Sequence, residues 1–259
     1  MKIKFQKYQG TGNDFIIINN KALNFPVKDK SLINRLCNRK FGIGSDGLIL
    51  INPSERTDFE MLYFNSDGSL GSMCGNGARC SVKFAQNNSI IDNEATFGAF
   101  DGNHSATIRG GLVFLSMKDV KNVKYFGNDL FLDTGSPHYI QIIDELDNFN
   151  VFDHGIKIRN SSKFKKEGVN VNFVKVISDS EFYVRTYERG VENETLSCGT
   201  GVTAVALAMH KLGLTNLKKV KIKTKGGTLN VEFKPKENGF EKIILSGSVV
   251  LVYEGYIEI

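Results

Sequence analysis

The sequence predicts an α+β protein made of two similar, strand-rich halves, each built around one buried helix. Two observations lead to this prediction. The phrase Cys-Gly-x-Gly occurs twice, at Cys74 and at Cys198, and each copy opens a helix-like stretch. Most of the remaining chain alternates apolar and polar residues, which is the pattern of half-buried strands. We therefore expect two pseudo-symmetric domains, each a mostly antiparallel, barrel-like sheet around a central helix.

In the first half, a helix is predicted over SLINRLCNRK, with Ser31 as its N-cap and an apolar face that includes Cys37. A second helix follows Cys74. The segment from Gly10 to Phe15 follows one strand and enters another, and it is predicted as a tight loop that presents Asn13. A hairpin is expected to turn at Gly110-Gly111. Strands are predicted over KIKFQKYQ, LILIN, DFEMLYFN and HSATIRGGLVFLSM.

The second half repeats this order. The helix after Cys198 is apolar nearly all round, which predicts a fully buried helix. The boundary is expected near Met117, so that residues 1–117 form an N-terminal domain and residues 118–247 a C-terminal domain. Strands are predicted over DLFLDTG, HYIQII, NVNFVKVI, EFYVRTYERG, KKVKIKTK, GTLNVEF and EKIILSGSVVLVYEGYIEI.

Composition and charge exclude several classes of function. The 259 residues are 41% hydrophobic and 24% charged, with a formal net charge of +5 that is spread along the chain. The densest basic stretch alternates lysines with apolar residues, so it predicts a solvated strand face and not a nucleic-acid site. No segment resembles a signal peptide or a membrane span. We therefore expect a cytoplasmic protein whose four cysteines are reduced.

The four cysteines divide into two kinds. Cys37 and Cys80 lie on apolar helix faces and are predicted to be small buried hydrophobes. Cys74 and Cys198 each precede a helix start, where the positive end of the helix stabilises a thiolate. The spacing Cys74-x5-Cys80, with no histidine nearby, is not that of a zinc site.

The two helix starts predict acid–base chemistry if they face each other. Their backbone N–H groups would hold one carboxylate, because glycines let a ligand approach the backbone closely. One thiol would then remove the α-proton from one face while the other delivers a proton to the opposite face.

One further glycine motif does not predict a nucleotide site. Gly42-Ile43-Gly44-Ser45-Asp46-Gly47 has the form G-x-G-x-x-G, but it follows a helix and precedes a strand. That order is the reverse of the dinucleotide-binding context. Asp46 would also repel phosphate.

Six segments together resemble the diaminopimelate epimerases, cofactor-independent enzymes of the lysine and peptidoglycan pathway. They occur in the order found in that family and cover nearly the whole chain. The pairing of MCGNGARC with ETLSCGTG is highly specific. The segments are GTGNDF (10–15), FNSDGS (64–69), MCGNGARC (73–80), SPH (136–138), VNVNF (169–173) and ERGVENETLSCGTG (188–201).

The resemblance implies an isomerase that interconverts LL- and meso-2,6-diaminopimelate without pyridoxal phosphate, another cofactor or a metal, with Cys74 and Cys198 as the acid–base pair. The active site would lie in a cleft between the domains, and the final strand, 248–259, would return to the first domain. The expected partner is the small-molecule substrate, with no nucleic acid and no membrane, and a homodimer is the candidate assembly. The resemblance also assigns the contacts to the substrate. The reacting carboxylate would be bound by backbone N–H groups of Gly75, Asn76, Gly199 and Thr200, and the distal end by Asn13, Asn65, Asn170 and Arg189. Glu188 would bind the substrate's amino groups, and His138 and Ser136 would hold auxiliary positions.

Three positions depart from the pattern of that family. Ser136 stands where many members have Asn, and Gly47 stands where many have Gln. The stretch from Glu188 to Cys198 is one residue longer than the common form. These departures affect the expected contacts to the distal end of the substrate.

Two rival functions remain at this point. Proline and hydroxyproline racemases use the same two-thiol chemistry, but typically carry Cys-Gly-His-Gly and Ser-Pro-Cys-Gly-Thr, whereas this chain has Asn76 and Leu196-Ser197-Cys198. A binding protein or isomerase of the same fold would lack the thiol pair, and both cysteines are retained here.

Overall fold

The computed structural model describes residues 1–259, which form seventeen strands and four helices. The α+β class predicted from the sequence is confirmed. The chain divides into two compact units. Unit 1 comprises Met1–Leu115 and Gly247–Ile259, and unit 2 comprises Ser116–Ser246. None of the four helices is long and apolar enough to cross a membrane.

Unit 1 is a curved sheet around one helix. Its elements are β1 (Lys2–Gly10), β2 (Asn13–Asn19), α1 (Lys30–Cys37), β3 (Gly47–Asn52), β4 (Phe59–Asn65), α2 (Gly75–Asn87), β5 (Glu94–Ala99), β6 (Gly102–Arg109), β7 (Leu112–Ser116) and β17 (Val250–Glu258). The strands pair in the order β17-β1-β2-β3-β4-β5-β6-β7, parallel at β2–β3 and β4–β5 and antiparallel elsewhere. Because α2 contacts β1, β2, β3, β4 and β6, the sheet wraps around this helix.

Unit 2 has the same plan. Its elements are β8 (Val123–Phe126), β9 (Asp129–Asp133), β10 (Pro137–Ile142), α3 (Val151–Arg159), β11 (Asn170–Val176), β12 (Glu181–Glu188), β13 (Asn193–Thr195), α4 (Gly199–Lys211), β14 (Lys219–Thr224), β15 (Gly227–Lys236) and β16 (Gly239–Ser248). The strands pair in the order β8-β9-β10-β11-β12-β14-β15-β16, parallel at β10–β11 and β12–β14. The helix α4 contacts β9, β10, β11, β12, β14 and β15.

The two units share one succession of strand pairings. Read along each sheet, it is antiparallel, antiparallel, parallel, antiparallel, parallel, antiparallel, antiparallel. In both units the central helix follows the fifth strand of this order, and a shorter helix joins the third strand to the fourth. The short strand β13 is an addition in unit 2. The repeat predicted from the two Cys-Gly-x-Gly phrases is therefore a repeat of the whole topology, and Cys74 and Cys198 hold equivalent positions in it.

The central helices form because their residues are almost entirely buried. In α4, every residue from Val202 to Met209 is buried, as the apolar sequence predicts. In α2, the buried set extends from Gly75 to Val82 and includes the polar residues Asn76, Arg79 and Ser81. Buried polar side chains are generally held by hydrogen bonds, so we expect these three residues to belong to a polar network at the start of α2.

The lysine-rich strand β14 behaves as its alternation predicts. Lys219, Lys221 and Lys223 are exposed, while Val220 and Ile222 are buried. The lysines lie beside carboxylates of neighbouring strands, for example Lys219 and Glu232 at 2.9 Å. This face is a solvated strand surface.

The structure corrects or adds to the predicted elements at five positions in the chain. The N-cap of α1 is Asp29, whose carboxylate accepts from Leu32 N, and not Ser31, which lies inside the helix and donates to Asp29. The helix α3 was not predicted, because only Val151 and Gly155 in it are buried and no apolar period is visible. The strands β5, β8 and β13 were also missed.

Candidate active site

The polar residues of the candidate site lie at one edge of the sheet in each unit. In unit 1, β2 begins at Asn13, β3 begins at Gly47, and β4 ends at Asn65 opposite Gly47. Since β2 and β3 are parallel and β4 is antiparallel to β3, these three positions share an edge. In unit 2, Asn170 pairs with His138 where β11 and β10 begin, and β12 ends at Glu188 beside them. Equivalent strand ends therefore supply the polar residues in each unit, and we call each of these groups, with its cysteine, a half-site.

Cys74 is the N-cap of α2, with extended backbone dihedrals, φ −110° and ψ 119°. The first backbone bond of the helix runs from Ala78 N to Cys74 O. The N–H groups of Gly75 and Asn76 precede that bond, so intrahelical carbonyls do not take them. The helix start predicted from the sequence thus places a thiol and first-turn N–H donors together.

A line of amides connects Cys74 to the interior of unit 1. Asn13 Oδ1 lies 3.5 Å from Cys74 Sγ and accepts from Asn76 Nδ2 at 3.3 Å. Asn76 is 1% exposed, and its Oδ1 accepts from Arg79 Nη2 at 3.0 Å. Arg79 is fully buried, and burial lowers its pKa. Negative charge on Cys80 or Cys74 would act in the opposite direction and raise the pKa of Arg79.

Asn13 is held from its other side by a cluster of charges. Its Nδ2 donates to Asp46 Oδ2 at 2.7 Å, and Arg39 bridges Asp46 and Asp14 at 2.9 and 2.7 Å. Lys7 pairs with Asp14 at 2.9 Å and also donates to Gly44 O. Burial acts to raise the pKa of Asp14, but hydrogen bonds from Arg39 and Lys7 outweigh it and lower this pKa to about 2. The loop with the G-x-G-x-x-G form therefore supports Asn13.

The turn between β1 and β2 explains why Asn13 stands where it does. Gly10 pairs with Asn13, and the two residues between them, Thr11 and Gly12, have φ of +52° and +84°. Two positive φ values in a two-residue loop are the signature of a tight hairpin turn. The loop predicted to present Asn13 is confirmed.

Gly47 has no room for a larger side chain. A Cβ there would lie 2.5 Å from Tyr63 Cε2 and 2.6 Å from Phe64 O. On the other side of the same ring, a Cβ on Gly71 would lie 2.4 Å from Tyr63. The ring of Tyr63 therefore occupies the space into which residue 47 would project. Asn65 donates to Ser69 Oγ at 3.1 Å.

In unit 2, Cys198 is the N-cap of α4, with φ −121° and ψ 113°. The first backbone bond of this helix, from Val202 N to Cys198 O, again leaves the N–H groups of Gly199 and Thr200 in the first turn. Cys198 Sγ lies 3.4 Å from Thr200 Oγ1, which lies 2.9 Å from His138 Nε2. His138 is fully buried.

The remaining predicted residues of unit 2 form one connected group. Asn170 Nδ2 donates to Ser136 Oγ at 2.8 Å, and Asn170 Oδ1 accepts from Arg189 N at 2.8 Å. Arg189 Nη2 lies 3.5 Å from the same Ser136 oxygen. Ser136 therefore fits into this group as an acceptor. Glu188 accepts from Thr195 Oγ1 at 2.9 Å, which ties β12 to β13 just before Cys198.

The lengthened stretch after Glu188 forms a four-residue turn between β12 and β13. Glu188 pairs with Asn193, and Glu192 N donates to Glu188 O at 2.8 Å. Glu192 has φ +55°, and its carboxylate is bonded by Arg159 and by Tyr187. The additional length is thus accommodated in a well-anchored turn.

The second glycine of each Cys-Gly-x-Gly is needed for packing. A Cβ on Gly77 would lie 3.1 Å from Ile49 Cδ1, and a Cβ on Gly201 would lie 2.6 Å from Asn172 Oδ1. Both central helices therefore approach their strands closely at this point. The sequence predicts glycine at both positions for ligand access, and close packing is a further requirement at the second one.

Cys37 and Cys80 have the structural role predicted for them. Both are buried, and burial raises the pKa of each thiol. A raised pKa keeps a thiol neutral and unreactive. No three His, Cys, Asp or Glu side chains are grouped so that they could hold a metal ion.

Three residues of the half-sites escaped sequence reasoning. Arg79 belongs to the motif around Cys74, but nothing in its spacing shows that its side chain turns inward. For Asp46, the sequence context indicates only that its charge disfavours phosphate. Asn172 did carry a signal, since it and Asn170 are polar residues two apart in an apolar strand and so share a face.

Comparison with solved structures first defines the class. The chain matches a phenazine biosynthesis protein of the PhzF family from Bacillus anthracis with a TM-score of 0.77, 13% identity and 100% of both chains covered. It matches a probable proline racemase from Agrobacterium radiobacter with a TM-score of 0.72, 15% identity, 99% of this chain and 92% of the other. At such identities the likeness shows the fold alone. The fold is that shared by PhzF proteins and proline racemases.

Sequence comparison then gives the family. The family model for diaminopimelate epimerase matches residues 5–125 and 130–252. A diaminopimelate epimerase of Flavobacterium psychrophilum is 50% identical over 253 residues, with 97% of this chain and 99% of the relative covered. One of Aquifex aeolicus is 36% identical over 273 residues, with 98% and 97% covered. The chain belongs to the diaminopimelate epimerase family.

Proposed function

We propose that this protein interconverts LL- and meso-2,6-diaminopimelate by proton transfer between two thiols, without a cofactor. One observation carries the proposal: two topologically equivalent helices each begin at a cysteine, and each cysteine lies among polar side chains from equivalent strand ends. Family membership supports diaminopimelate as the substrate. The contacts within each half-site support the individual roles.

The α-carboxylate of the substrate would be bound by first-turn N–H groups of both helices. Gly75 and Asn76 would supply donors from α2, and Gly199 and Thr200 from α4. The helix N-terminus favours negative charge. Charge develops on this carboxylate when the α-proton leaves, so the same donors would stabilise the enediolate-like intermediate more than the substrate.

Proton transfer at the α-carbon would use both cysteines. One cysteine, as thiolate, takes the α-proton and becomes a thiol, and the electron pair of the C–H bond passes into the carboxylate-stabilised carbanion. The other cysteine, as thiol, gives its proton to the opposite face and becomes a thiolate. The α-carbon is inverted. The two thiols have exchanged protonation states, and exchange with water restores the starting form.

The distal end of the substrate would be read by the amide and guanidinium groups. Asn170, Ser136 and Arg189 are already joined by hydrogen bonds, and Arg189 is exposed. A guanidinium with a neighbouring amide suits a carboxylate. Asn13 and Asn65 would act from unit 1, and Glu188 would bind amino groups. His138 and Ser136 are auxiliary.

The decisive experiment is incubation of each diaminopimelate isomer in D2O, followed by mass spectrometry and chiral analysis. We expect one deuterium at the inverted α-carbon in both directions. Proline is tested in parallel, because proline racemases share the fold and the thiol chemistry. Deuterium in proline and none in diaminopimelate would replace the proposal with the rival.

The proposed transfer requires Cys74 and Cys198 to reach one α-carbon from opposite faces, and such thiols would face each other when no substrate separates them. Two facing thiols would lose two electrons and two protons to a mild oxidant and form a disulfide. Oxidation should therefore abolish activity, and a thiol reductant should restore it. A peptide mass map that shows both thiols unlinked in the inactivated protein would contradict this geometry.

We propose that the protein is a homodimer. Strand β17 exposes the apolar run 250–253, in which Val252 is 54% and Tyr253 is 44% exposed, and such runs commonly mark interfaces. Sedimentation should give twice the mass of the chain, and Val252→Lys should shift it toward the monomer. Phe41→Lys, at a residue 83% exposed elsewhere on unit 1, is the matched control. A monomeric wild type would refute this assembly.

We propose that the protein works in the cytoplasm, where its cysteines are kept reduced. Cell fractionation should recover the activity with cytoplasmic markers. Recovery with the membrane or an extracytoplasmic fraction would refute this location.

A further inference from the structure

Four side chains in unit 2 form a line that ends at the thiol of Cys198. Asn172 Nδ2 lies 3.1 Å from His138 Nδ1, and His138 Nε2 lies 2.9 Å from Thr200 Oγ1. Thr200 Oγ1 lies 3.4 Å from Cys198 Sγ. Asn172 and His138 are both fully buried. Because each link has a donor and an acceptor, the line has a direction that can be worked out from its inner end.

The amide of Asn172 can stand in only one orientation. Its Nδ2 lies 3.1 Å from the carbonyl oxygen of Tyr139, which only accepts hydrogen bonds. Rotating the amide by half a turn would place two oxygens against each other. Its Oδ1 meanwhile accepts from Thr186 Oγ1 at 3.0 Å. The backbone oxygen of Asn170 lies farther from Nδ2, at 3.5 Å, than His138 Nδ1 does, at 3.1 Å. An amide nitrogen cannot accept a hydrogen bond, so the second hydrogen of Nδ2 points to His138 Nδ1, which accepts it.

An imidazole that accepts at Nδ1 carries its proton on Nε2. Burial lowers the pKa of His138 to about 3, and the charge of Arg189 acts in the same direction. The ring is thus neutral throughout the physiological range, with a single N–H at Nε2. That N–H points to Thr200 Oγ1. Since the hydroxyl oxygen accepts this bond, its own hydrogen is left for Cys198 Sγ.

We propose that Asn172 and His138 are positioning residues, which fix the Thr200 hydroxyl as a hydrogen-bond donor to the Cys198 thiolate. The importance of this hydrogen bond for catalysis rests on the proposed function, in which Cys198 exchanges a proton with the substrate. His138 is a fixed donor here and does not carry a proton during the reaction. A donor aimed at a thiolate stabilises the charged form.

The architecture supports this assignment. Gly201 allows α4 to come close to Asn172 and His138, because a Cβ there would lie 2.6 Å from Asn172 Oδ1 and 3.3 Å from His138 Cε1. Thr134 Oγ1 donates to the backbone oxygen of Thr200 at 2.9 Å, which fixes the residue that carries the hydroxyl. The contact at Cys74 differs, since Asn13 turns an acceptor oxygen to that thiol. Loss of the Thr200 hydroxyl should therefore affect Cys198 and not Cys74.

The first test compares the two thiols in one molecule. The full-length protein is alkylated with iodoacetamide at neutral pH, and the rate at each cysteine is read from its peptide by mass spectrometry. Losing a hydrogen bond to a charged group should lower the thiolate fraction of Cys198 about tenfold. The intrinsic nucleophilicity rises as the thiol becomes more basic, so the net rate at Cys198 should fall about threefold. The rate at Cys74 should not change.

The variants separate the effect of the Thr200 hydroxyl from the effect of the side chain's shape. Thr200→Val removes the hydroxyl and keeps the shape, and Thr200→Ser should restore the rate. Thr203→Val is the matched control, because Thr203 is a buried hydroxyl on the same helix that donates to Gly199 O. His138→Gln can still direct an N–H to Thr200, whereas His138→Phe cannot. A normal Cys198 rate in Thr200→Val, or equal losses in His138→Gln and His138→Phe, would overturn the proposal.

The second test needs no substitution. The 15N shifts of the His138 imidazole distinguish the two neutral tautomers and the imidazolium. We expect the Nε2–H tautomer from mildly acidic to alkaline pH. An Nδ1–H tautomer, or an imidazolium at pH 5, would overturn the proposal. Neither test requires turnover, so a protein that passes both but does not epimerise diaminopimelate would refute the proposed function and leave the hydrogen-bond chain standing.

Discussion

Replacing the second glycine of each Cys-Gly-x-Gly by alanine should have unequal effects in the two units. The positions are topologically equivalent, but their neighbours differ. At Gly77 the nearest atom to an added Cβ is the terminal methyl of Ile49, at 3.1 Å. At Gly201 it is Asn172 Oδ1, at 2.6 Å. A terminal methyl can move by a few tenths of an ångström, whereas the amide of Asn172 is held by Thr186, Tyr139 and His138.

The magnitudes follow from these contacts. Alanine gains about 1 kcal/mol over glycine from helix propensity in both variants. In Gly77→Ala this gain offsets a mild overpacking, so the free energy of unfolding should stay within about 0.5 kcal/mol of wild type. In Gly201→Ala the amide must retreat, with overpacking of about 2 kcal/mol and the weakening of a buried hydrogen bond worth about 1 kcal/mol. The net loss should be about 2 kcal/mol.

Urea unfolding, followed by circular dichroism, measures both free energies, and hydrogen exchange assigns each loss to a unit. Gly201→Ala should lower protection in unit 2, and its activity should fall because the line from Asn172 to Cys198 is disturbed. Equal losses for the two alanine variants would show that the packing of Asn172 against α4 does not decide the outcome. A neutral Gly201→Ala would refute the reasoning altogether.

Three further predictions concern unit 1. Asp29→Ala should lower thermal stability more than Ser31→Ala, because Asp29 is the N-cap of α1; equal melting temperatures would contradict the cap assignment. The pKa of Asp14 is lowered to about 2, so its stabilising effect is complete above the ordinary range near 4 and is lost as pH falls toward 2. Asp14→Asn should therefore destabilise at pH 7 and have little effect at pH 2 in urea titrations, and a pH-independent loss would contradict this linkage. Gly47→Gln should destabilise unit 1 by about 1–3 kcal/mol through its clash with Tyr63, and a stability equal to wild type would show that the ring moves freely.

The features that the sequence predicted well depend on local chemistry. Both helix starts at Cys74 and Cys198, the Asn13 turn and the buried α4 follow from glycine, capping and apolar runs in short segments. Apolar periodicity also identified most strands. The helix α3 lacked that signal, because it rests on the sheet through Gly155, where a Cβ would lie 2.4 Å from Tyr187. Ser31 and Asp29 lie two residues apart and both residue types cap helices well, so the sequence alone does not distinguish them.

The side-chain partners of the candidate site depend on long-range pairing and could not be read from spacing. Asp46 reaches Asn13 across 33 positions of sequence, and Asn172 reaches His138 across 34. These pairs form only because β2 and β3, and likewise β10 and β11, are parallel neighbours. The side chain of Arg79 also depends on a residue distant in sequence, since its hydrogen-bond acceptor Thr11 lies 68 positions away. The assignment of residues to substrate contacts remains a prediction.

The central claim, that Cys74 and Cys198 act on opposite faces of one α-carbon, is tested most directly by α-hydrogen exchange in variants with a single remaining thiol of the pair. Cys74→Ala and Cys198→Ala are each incubated in D2O with LL- and with meso-diaminopimelate. Each variant should incorporate deuterium into one isomer only, the two variants should differ in which isomer that is, and neither should invert it. Exchange of the same isomer by both variants, or inversion by either, would contradict the two-thiol account.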